Sequence, residues 1–281
     1  AANAAWLLGL WGEEVYYIGH LQQDLYGQRI IDEFAEAGVD TSQVVFSDDM
    51  ITPLASVLVN RLTGSRTIIT RKMQTPPSLT YEQKLKLDDL AERLIASEEP
   101  VTILIDGHEA EISEYLIKKL PNARVVMDGG SLRASNIKLA AWTDYFVVSE
   151  HFARDYMSYR SLSTEAEIKA ALIELNKICR GEAFITLGEK GCAFLKSGML
   201  QIVPSWLCNA VDTTGAGDVF HGAFTYGVHY SWHIDNIILF ASLTAAISIE
   251  KKGVRESMPD LAVVHHSLNS YERNLTQYFE E

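Results

Sequence analysis

The sequence is poor in cysteine and in positive charge and has no long apolar run, and each shortage excludes a class of protein. Its three cysteines are odd in number and form no CxxC pair, so a disulfide framework or a structural zinc site is not expected. Free thiols in a reducing cytoplasm are the simpler interpretation. No run reaches the roughly 18 apolar residues of a membrane span, and the first residues do not predict a secretory signal.

The charge balance is strongly acidic, with a formal net charge of −13. Nucleic-acid binding is therefore not expected, because it requires a basic surface against the phosphate backbone. An acidic protein can still bind a polyphosphate if backbone amides and metal ions are aimed at it locally. The 281 residues, 47% of them hydrophobic, suffice for one large α/β domain with a real core.

The chain alternates short β-rich runs with amphipathic helical stretches. Buried parallel strands are predicted at 101–106, 124–128, 145–148 and 183–187, and helices at 81–96, 110–119 and 164–178. A strand is also predicted at Glu14–Ile18, followed by a helix at Asp24–Ala37 that stops at Gly38. The last third, from Gly215 onward, is predicted to be largely helical. In such folds ligands bind at the carboxyl ends of the strands.

One predicted hairpin interrupts this rhythm. Two alternating runs, at 54–60 and 66–71, flank the turn Thr63-Gly64-Ser65. A lone hairpin with a half-apolar face is only marginally stable. We therefore expect it to pack over the ligand pocket or against a second subunit.

The most informative stretch is VDTTGAGDVFHGAF, at Val211–Phe224. Gly215 and Gly217 leave the backbone uncrowded at a turn that opens a helix, where consecutive amides and the helix dipole form an anion site. A carboxylate there, Asp218, suits a base acting on a neutral hydroxyl. The alternative is a glycine-rich turn with Asp218 as a first-turn cap. His221, on nearly the same helix face as Asp218, is interpreted as a packing or surface residue, with tuning of the base as the alternative.

Two other nucleotide-binding motifs do not fit. The glycine spacing of this stretch is not GxGxxG, which disfavours a Rossmann site, and no GxxxxGK[ST] occurs anywhere in the chain. The stretch instead closely resembles the C-terminal signature of the ribokinase-like PfkB family of carbohydrate kinases. The resemblance extends over nearly the whole chain, through the segments IGHLQQDLYGQRIIDEFAEAGVDTSQV, FITLGEKGCAF and AAISIEKKGVRESMP.

The resemblance implies a fold and an activity. The fold would be a doubly wound, mostly parallel sheet with helices on both faces, forming one domain over 1–281 with a small β lid at about 48–72. The activity would be transfer of a phosphoryl group from ATP to a hydroxyl of a sugar or sugar-like acceptor. Asp218 would be the general base, and Gly215, Ala216 and Gly217 would form the anion hole.

The resemblance also implies roles for residues elsewhere in the chain. ATP, with Mg²⁺, would bind at Thr186, Gly188, Gly191, Ala246 and Gly253. Asp212 and Thr214 match positions that in many members help to hold a monovalent cation such as K⁺. Asn3 matches an asparagine near the sugar. His108 and Arg133 follow predicted strand ends and are candidate substrate contacts. The neighbouring Asp106 and Gly107 are interpreted as turn formers, and an ion pair with a helix carboxylate is the alternative for Arg133.

Two departures from the family pattern stand out. The Gly-Gly pair that precedes the asparagine in the family is absent before Asn3, so the chain is expected to lack the family's first strand. The family's N-x-x-E motif is replaced by Ser149 and Phe152, and a phenylalanine cannot contact a metal. Mg²⁺ would then be held mainly by phosphates and water.

The remaining expectations concern partners and rival functions. A small sugar-like substrate, a homodimer formed through the lid and a cytoplasmic location are expected, without nucleic acid or membrane. A nucleoside kinase of the same superfamily is a rival enzyme. A non-catalytic ligand-binding relative is a rival from another class, although an intact DTTGAGD motif argues against it, since binding alone needs no base.

Overall fold

The helices and strands of the computed structural model follow the predicted alternation, in the described residues 1–48, 50–59, 66–71 and 77–269. The strands are β1 (His20–Leu21), β2 (Val45–Phe46), β3 (Leu54–Val59), β4 (Arg66–Arg71), β5 (Thr102–Ile105), β6 (Arg124–Gly129), β7 (Tyr145–Ser149), β8 (Glu182–Thr186), β9 (Cys192–Lys196) and β10 (Met199–Val203). The helices are α1 (Ala2–Leu10), α2 (Leu25–Glu36), α3 (Tyr81–Ala96), α4 (Ala110–Lys119), α5 (Ala134–Ala140), α6 (Glu150–Tyr156), α7 (Glu165–Asn176), α8 (Ala216–His229) and α9 (Ile234–Ser248). A further helical run occupies 261–269, and none of the described helices is long and apolar enough to cross a membrane.

A six-stranded sheet in the order β10-β9-β8-β7-β6-β5 forms the centre of the molecule. Strands β5 to β8 are parallel, and β9 and β10 complete the sheet in antiparallel pairing. The carboxyl ends of β5 to β8 therefore meet along one edge, followed there by the loops that carry the candidate site. The four predicted core strands and the helices between them are confirmed.

Helices cover both faces of this sheet, as predicted. Along β6 the side chains alternate, so that Val126 packs into a cluster with residues of α1, α8 and α9, among them Leu7 and Phe224. Val125 and Met127 point to the opposite face and pack with residues of α4 to α7. Phe224 and Phe184 meet edge to face, with ring centroids 5.4 Å apart. Each face therefore buries an apolar core of its own.

Helices α1 and α8 approach closely at a glycine. A Cβ added at Gly222 would lie 3.1 Å from Leu7 Cδ2 and 3.2 Å from the Ala4 Cα, so a larger residue would push the helices apart. Ala4 and Leu7 are fully buried in this contact. The contact holds the start of α1, and with it Asn3, beside the start of α8.

The strand predicted at Glu14–Ile18 is wrong in extent. Only Tyr16 forms a bridge there, to Asp40, and the paired strand begins at His20. Tyr16 pairs with Asp40 but His20 pairs with Val45, so the partner segment contains one extra residue between the two pairings. A turn closed by a hydrogen bond from the Val44 amide to the Thr41 carbonyl takes up that residue and interrupts the ladder.

The predicted hairpin is present as β3 and β4, which pair antiparallel from Leu54↔Arg71 onward, while its turn lies outside the described residues. Its base is tied to the N-cap of α2. The Thr52 hydroxyl donates to Asp24 Oδ1 at 3.0 Å, and Arg71 lies 3.7 Å from Asp24 Oδ2. The same carboxylate accepts from the Gly27 amide at 2.7 Å, and this bond lowers the pKa of Asp24. One carboxylate thus joins both hairpin strands to the body.

Candidate active site

The first turn of α8 is shaped by a glycine in the left-handed region. Gly215 has φ +78° and forms the N-cap of the helix. A Cβ on Gly215 would lie 2.5 Å from Val254 Cγ1, so both the backbone angle and the close approach require glycine. The first helical bond runs from the Val219 amide to the Gly215 carbonyl at 2.9 Å. The preceding amides of this turn therefore point out of the end of the helix.

These amides are open to a ligand. Within the described residues, no acceptor bonds to the amide of Gly217 or of Asp218, and a Cβ on Gly217 would meet nothing within 4 Å. Unsatisfied N–H groups at the positive end of a helix dipole attract an anion. The two open amides are thus those of Gly217 and Asp218, whereas the Ala216 amide donates to the Thr213 carbonyl at 3.4 Å.

Asp218 presents its carboxylate to the same open space. Its Oδ2 accepts a hydrogen bond of 2.8 Å from Asn3 Nδ2 on α1, and 31% of its side chain is exposed. Among the described residues it accepts from no backbone amide of its own helix, as a cap would. The geometry therefore favours a base over a first-turn cap.

Two further carboxylates lie at the same place. The backbone nitrogen of Ala1 lies 3.3 Å from Asp106 Oδ2, 3.6 Å from Asp128 Oδ2 and 3.9 Å from Asp218 Oδ1, so the three carboxylates surround one point. Asp106 and Asp128 end predicted strands, at the edge where ligands were expected to bind, but neither was among the predicted site residues.

The residues predicted to contact ATP line the neighbouring strand end. Thr186 ends β8 and donates to the Val148 carbonyl at 3.4 Å. Gly188 has φ +60° with open space where a Cβ would be. A Cβ on Gly191 would lie 1.9 Å from the Val203 carbonyl oxygen, so only glycine allows this loop to pass so close to β10. Gly188 therefore leaves its backbone open to a ligand, whereas Gly191 serves the close packing of the loop.

Asp212 joins two loops beside the start of α8. Its carboxylate accepts from the Thr214 hydroxyl at 2.7 Å and from the Gly253 amide at 3.3 Å. The amides of Val211 and Asp212 donate to the Ile249 carbonyl at 2.8 and 3.1 Å. The loop after α9 is thereby held against the loop before α8, which brings Gly253 close to the predicted anion hole. Ala246 lies buried in α9.

Comparison with known proteins decides the family. The profile described as pfkB family carbohydrate kinase matches residues 1–261. The chain belongs to the PfkB family of carbohydrate kinases. The predictions of this family, of a ribokinase-like α/β fold and of an ATP-dependent carbohydrate kinase are confirmed.

Individual relatives are distant but similar over most of their length. A ribokinase of Lactococcus lactis is 27% identical over 262 residues, which are 93% of this chain and 82% of that protein. The structure of Arabidopsis thaliana ribokinase complexed with ribose and ATP superposes with a TM-score of 0.78 at 20% identity, covering 94% of this chain and 85% of that one. A putative ribokinase II from E. coli, in complex with ATP and Mg²⁺, has a TM-score of 0.72 at 17% identity, covering 96% and 87%.

In this PfkB kinase, the candidate substrate contacts His108 and Arg133 belong to two segments that touch. A Cβ on Gly107 would lie 3.1 Å from Ser135 Oγ, so the loop after β5 touches the first turn of α5, where Arg133 is the N-cap. Arg133 is half-buried, and its guanidinium has no ion-pair or hydrogen-bond partner within the part of the chain that the structure describes. His108 is exposed, with its amide bonded to Asp106 Oδ1 at 2.9 Å.

Phe152, which replaces the glutamate of the family's N-x-x-E motif, is part of the apolar core. Phe152 is fully buried and packs edge to face against Phe146, with centroids 5.6 Å apart. Ser149 caps α6 by accepting from the Phe152 amide at 3.0 Å, and it donates to the Gly130 carbonyl. The Phe152 side chain therefore offers no ligand to Mg²⁺, which fits a metal held mainly by phosphate and water oxygens.

We predict that Asn3→Leu lowers turnover about tenfold or more. The substitution removes the donor that holds Asp218 Oδ2, and small losses of position at a reacting group carry large rate penalties. The KM for ATP should change little, because Asn3 contacts the carboxylate and not the amides. Steady-state ADP release with a saturating acceptor measures both quantities.

The matched control is Gln28→Leu, which removes an exposed amide bonded to Asp32 on α2, away from the site. Wild-type turnover in a folded Asn3→Leu variant would contradict a positioning role for Asn3.

Proposed function

We propose that this PfkB kinase phosphorylates a sugar or sugar-like alcohol at the site formed by α1, α8 and the ends of β5 to β8. One observation carries the assignment: an acceptor-free pair of helix-start amides lies next to a carboxylate that does not cap its own helix. Amides of this kind stabilise a transferring phosphoryl group, and the carboxylate accepts a proton from the attacking hydroxyl. A binding protein needs the first feature but not the second.

The proposed reaction is a single in-line transfer. The acceptor hydroxyl gives its proton to Asp218 while its oxygen forms a bond to the γ-phosphorus of ATP. The bond from that phosphorus to the bridging oxygen breaks, and ADP leaves with the electron pair. The turn formed by Gly215, Ala216 and Gly217 stabilises the charge on the equatorial oxygens. Asn3 keeps Asp218 oriented, so that its Oδ1 faces the hydroxyl.

ATP is assigned to the crevice between the end of β8 and the loop after α9. Thr186, Gly188 and Gly191 would line one side, and Ala246 and Gly253 the other. The Arabidopsis relative was solved with ATP and the E. coli relative with ATP and Mg²⁺, which supports the same donor and metal here. When bound, Mg²⁺ neutralises charge on the phosphates.

The acceptor is assigned to the mouth bounded by Asn3, His108 and Arg133. The carboxylates of Asp106 and Asp128 supply acceptors for sugar hydroxyls at the same place. Arg133 supplies a planar donor with no partner in the described chain, suited to a hydroxyl pair or an anionic substituent.

The hairpin of β3 and β4 is proposed as a lid and as a dimer interface. Leu58 and Ile69 are 57% and 58% exposed, and an apolar hairpin face open to water needs a cover. A second copy of the chain would supply it, and a strictly monomeric species at micromolar concentration in light scattering would contradict the dimer. The cytoplasm is the proposed location, because the reaction draws on ATP.

An acceptor screen tests the proposed function. Purified protein with ATP and Mg²⁺ is offered neutral sugars, sugar phosphates, sulfosugars and nucleosides, and ADP release is measured against an acceptor-free control. We expect acceptor-dependent ADP release with at least one sugar or sugar derivative. ADP release with nucleosides alone would show that the acceptor is a nucleoside and not a sugar. ATP binding without ADP release on the whole panel would contradict catalysis.

We further predict that K⁺ raises turnover above the rate in Na⁺ at equal ionic strength. A cation held near Asp212 and Thr214 would fix the loop that precedes α8 and so orient the anion-hole amides. The control is tetramethylammonium, which is too large for such a site. Equal turnover in all three salts would contradict a functional cation near Asp212 and Thr214.

A further inference from the structure

His221 is a titratable side chain enclosed directly behind the candidate active site. It lies on α8 one turn after Gly217, and only 2% of the residue is exposed. Its ring faces the carboxyl-end half of the sheet, between β6 and β7, which carry Asp128 and Val147. A buried histidine costs free energy unless its ring nitrogens find partners, so the partners define what the ring does.

Each ring nitrogen faces an acceptor. Nδ1 lies 2.6 Å from the Gly217 carbonyl oxygen and 3.5 Å from Asp128 Oδ1, and Nε2 lies 3.2 Å from the Val147 carbonyl oxygen. A neutral imidazole carries one N–H and one bare nitrogen, whose lone pair would then face a carbonyl lone pair. Two N–H donors satisfy all the neighbours. The arrangement of acceptors therefore selects the imidazolium.

We propose that His221, as an imidazolium, is a positioning residue for phosphoryl transfer that links the anion hole to Asp128. This proposal rests on the proposed function of the site and adds a residue to it. His221 touches neither acceptor nor ATP in the proposed geometry. It acts through the Gly217 carbonyl and through the Asp128 carboxylate.

The link to the anion hole consists of one hydrogen bond and one peptide group. The Gly217 carbonyl belongs to the same peptide group as the Asp218 amide, one of the acceptor-free donors of the first turn. A hydrogen bond of 2.6 Å on that carbonyl fixes the plane of the peptide and polarises its N–H toward the ligand. Loss of the bond lets the plane tilt, which moves the amide and Asp218 together.

The second link is electrostatic. Asp128 from β6 lies beside the ring of His221, and it shares one point with Asp218 from the same helix and with Asp106, which follows β5, whereas β7 contributes the Val147 carbonyl. Three carboxylates around one point repel one another. A buried positive charge 3.5 Å from Asp128 offsets this repulsion, and so stabilises the cluster of carboxylates that includes Asp218.

Nuclear magnetic resonance tests the protonation directly. Protein selectively labelled with ¹⁵N-histidine is recorded near neutral pH, and the His221 ring is assigned by its loss in His221→Asn. We expect protons on both Nδ1 and Nε2 of His221. A ring with one bare nitrogen would overturn the imidazolium. This readout needs no turnover, so it stands whether or not an acceptor has been found.

Kinetics test the positioning role. His221→Leu removes both donors, and we expect kcat to fall about ten- to hundredfold, the range associated with small misplacement of reacting groups. The KM values for ATP and acceptor should change far less. His221→Asn should recover part of the loss, because its amide can donate to the carbonyl four residues earlier, where Nδ1 now donates.

The matched control is Thr225→Val, one turn further along α8. Thr225 is equally enclosed and donates to the His221 carbonyl at 2.7 Å, but has no link to the first turn. It should keep wild-type kcat. Equal kcat in folded His221→Leu and Thr225→Val would overturn the positioning role, as would an Asn variant no better than Leu. Absence of acceptor turnover in the wild type would instead count against the proposed function.

Discussion

The first turn of α8 presents backbone N–H groups that the helix itself cannot satisfy, and the rest of the site is arranged around them. Gly215 can adopt φ +78° and lie against Val254 only because it has no side chain. That conformation leaves the Gly217 and Asp218 amides facing open space. The Asp218 carboxylate would repel a permanently bound anion. It is useful if the negative charge at these amides develops only during phosphoryl transfer.

The fold delivers the remaining groups to this turn by two routes. Close packing of α1 on α8 at Gly222 brings Asn3 within 2.8 Å of Asp218, a contact between residues 215 positions apart. Parallel order of β5 to β8 brings Asp106, Asp128 and Thr186 to one edge of the sheet. Local sequence therefore shapes the proposed anion hole, and tertiary packing brings the other side chains to it.

The features predictable from sequence were those encoded in contiguous residues. Helix α4 has the predicted bounds because its apolar spacing and flanking residues are local signals. The roles proposed for Gly215 to Asp218 rest on one short motif. The strand at Glu14–Ile18 was overpredicted because its β-rich composition says nothing of the partner segment, whose turn after Thr41 shifts the register. Two expectations stay predictions: that the chain lacks the family's first strand, and that the lid spans about 48–72.

What the sequence did not show depended on contacts between distant elements. An aspartate at a strand end reads as a turn former, and only the sheet order reveals that Asp106 and Asp128 share a site with Asp218. His221 reads as a packing residue, and its three acceptors come from β6, β7 and the first turn of α8. The replacement of the family's N-x-x-E glutamate by Phe152 was visible in the sequence, but the burial of Phe152 against Phe146 was not.

The central claim is that Asp218 takes the acceptor proton, and Asp218→Asn tests it most directly. The substitution keeps size and most hydrogen bonding but removes the proton acceptor, so the account predicts a fall in turnover of at least about 100-fold with ATP affinity little changed. Asp235→Asn, at the matching first turn of α9, serves as the control and should keep full activity. A folded Asp218→Asn enzyme with near wild-type turnover on its acceptor would contradict the account.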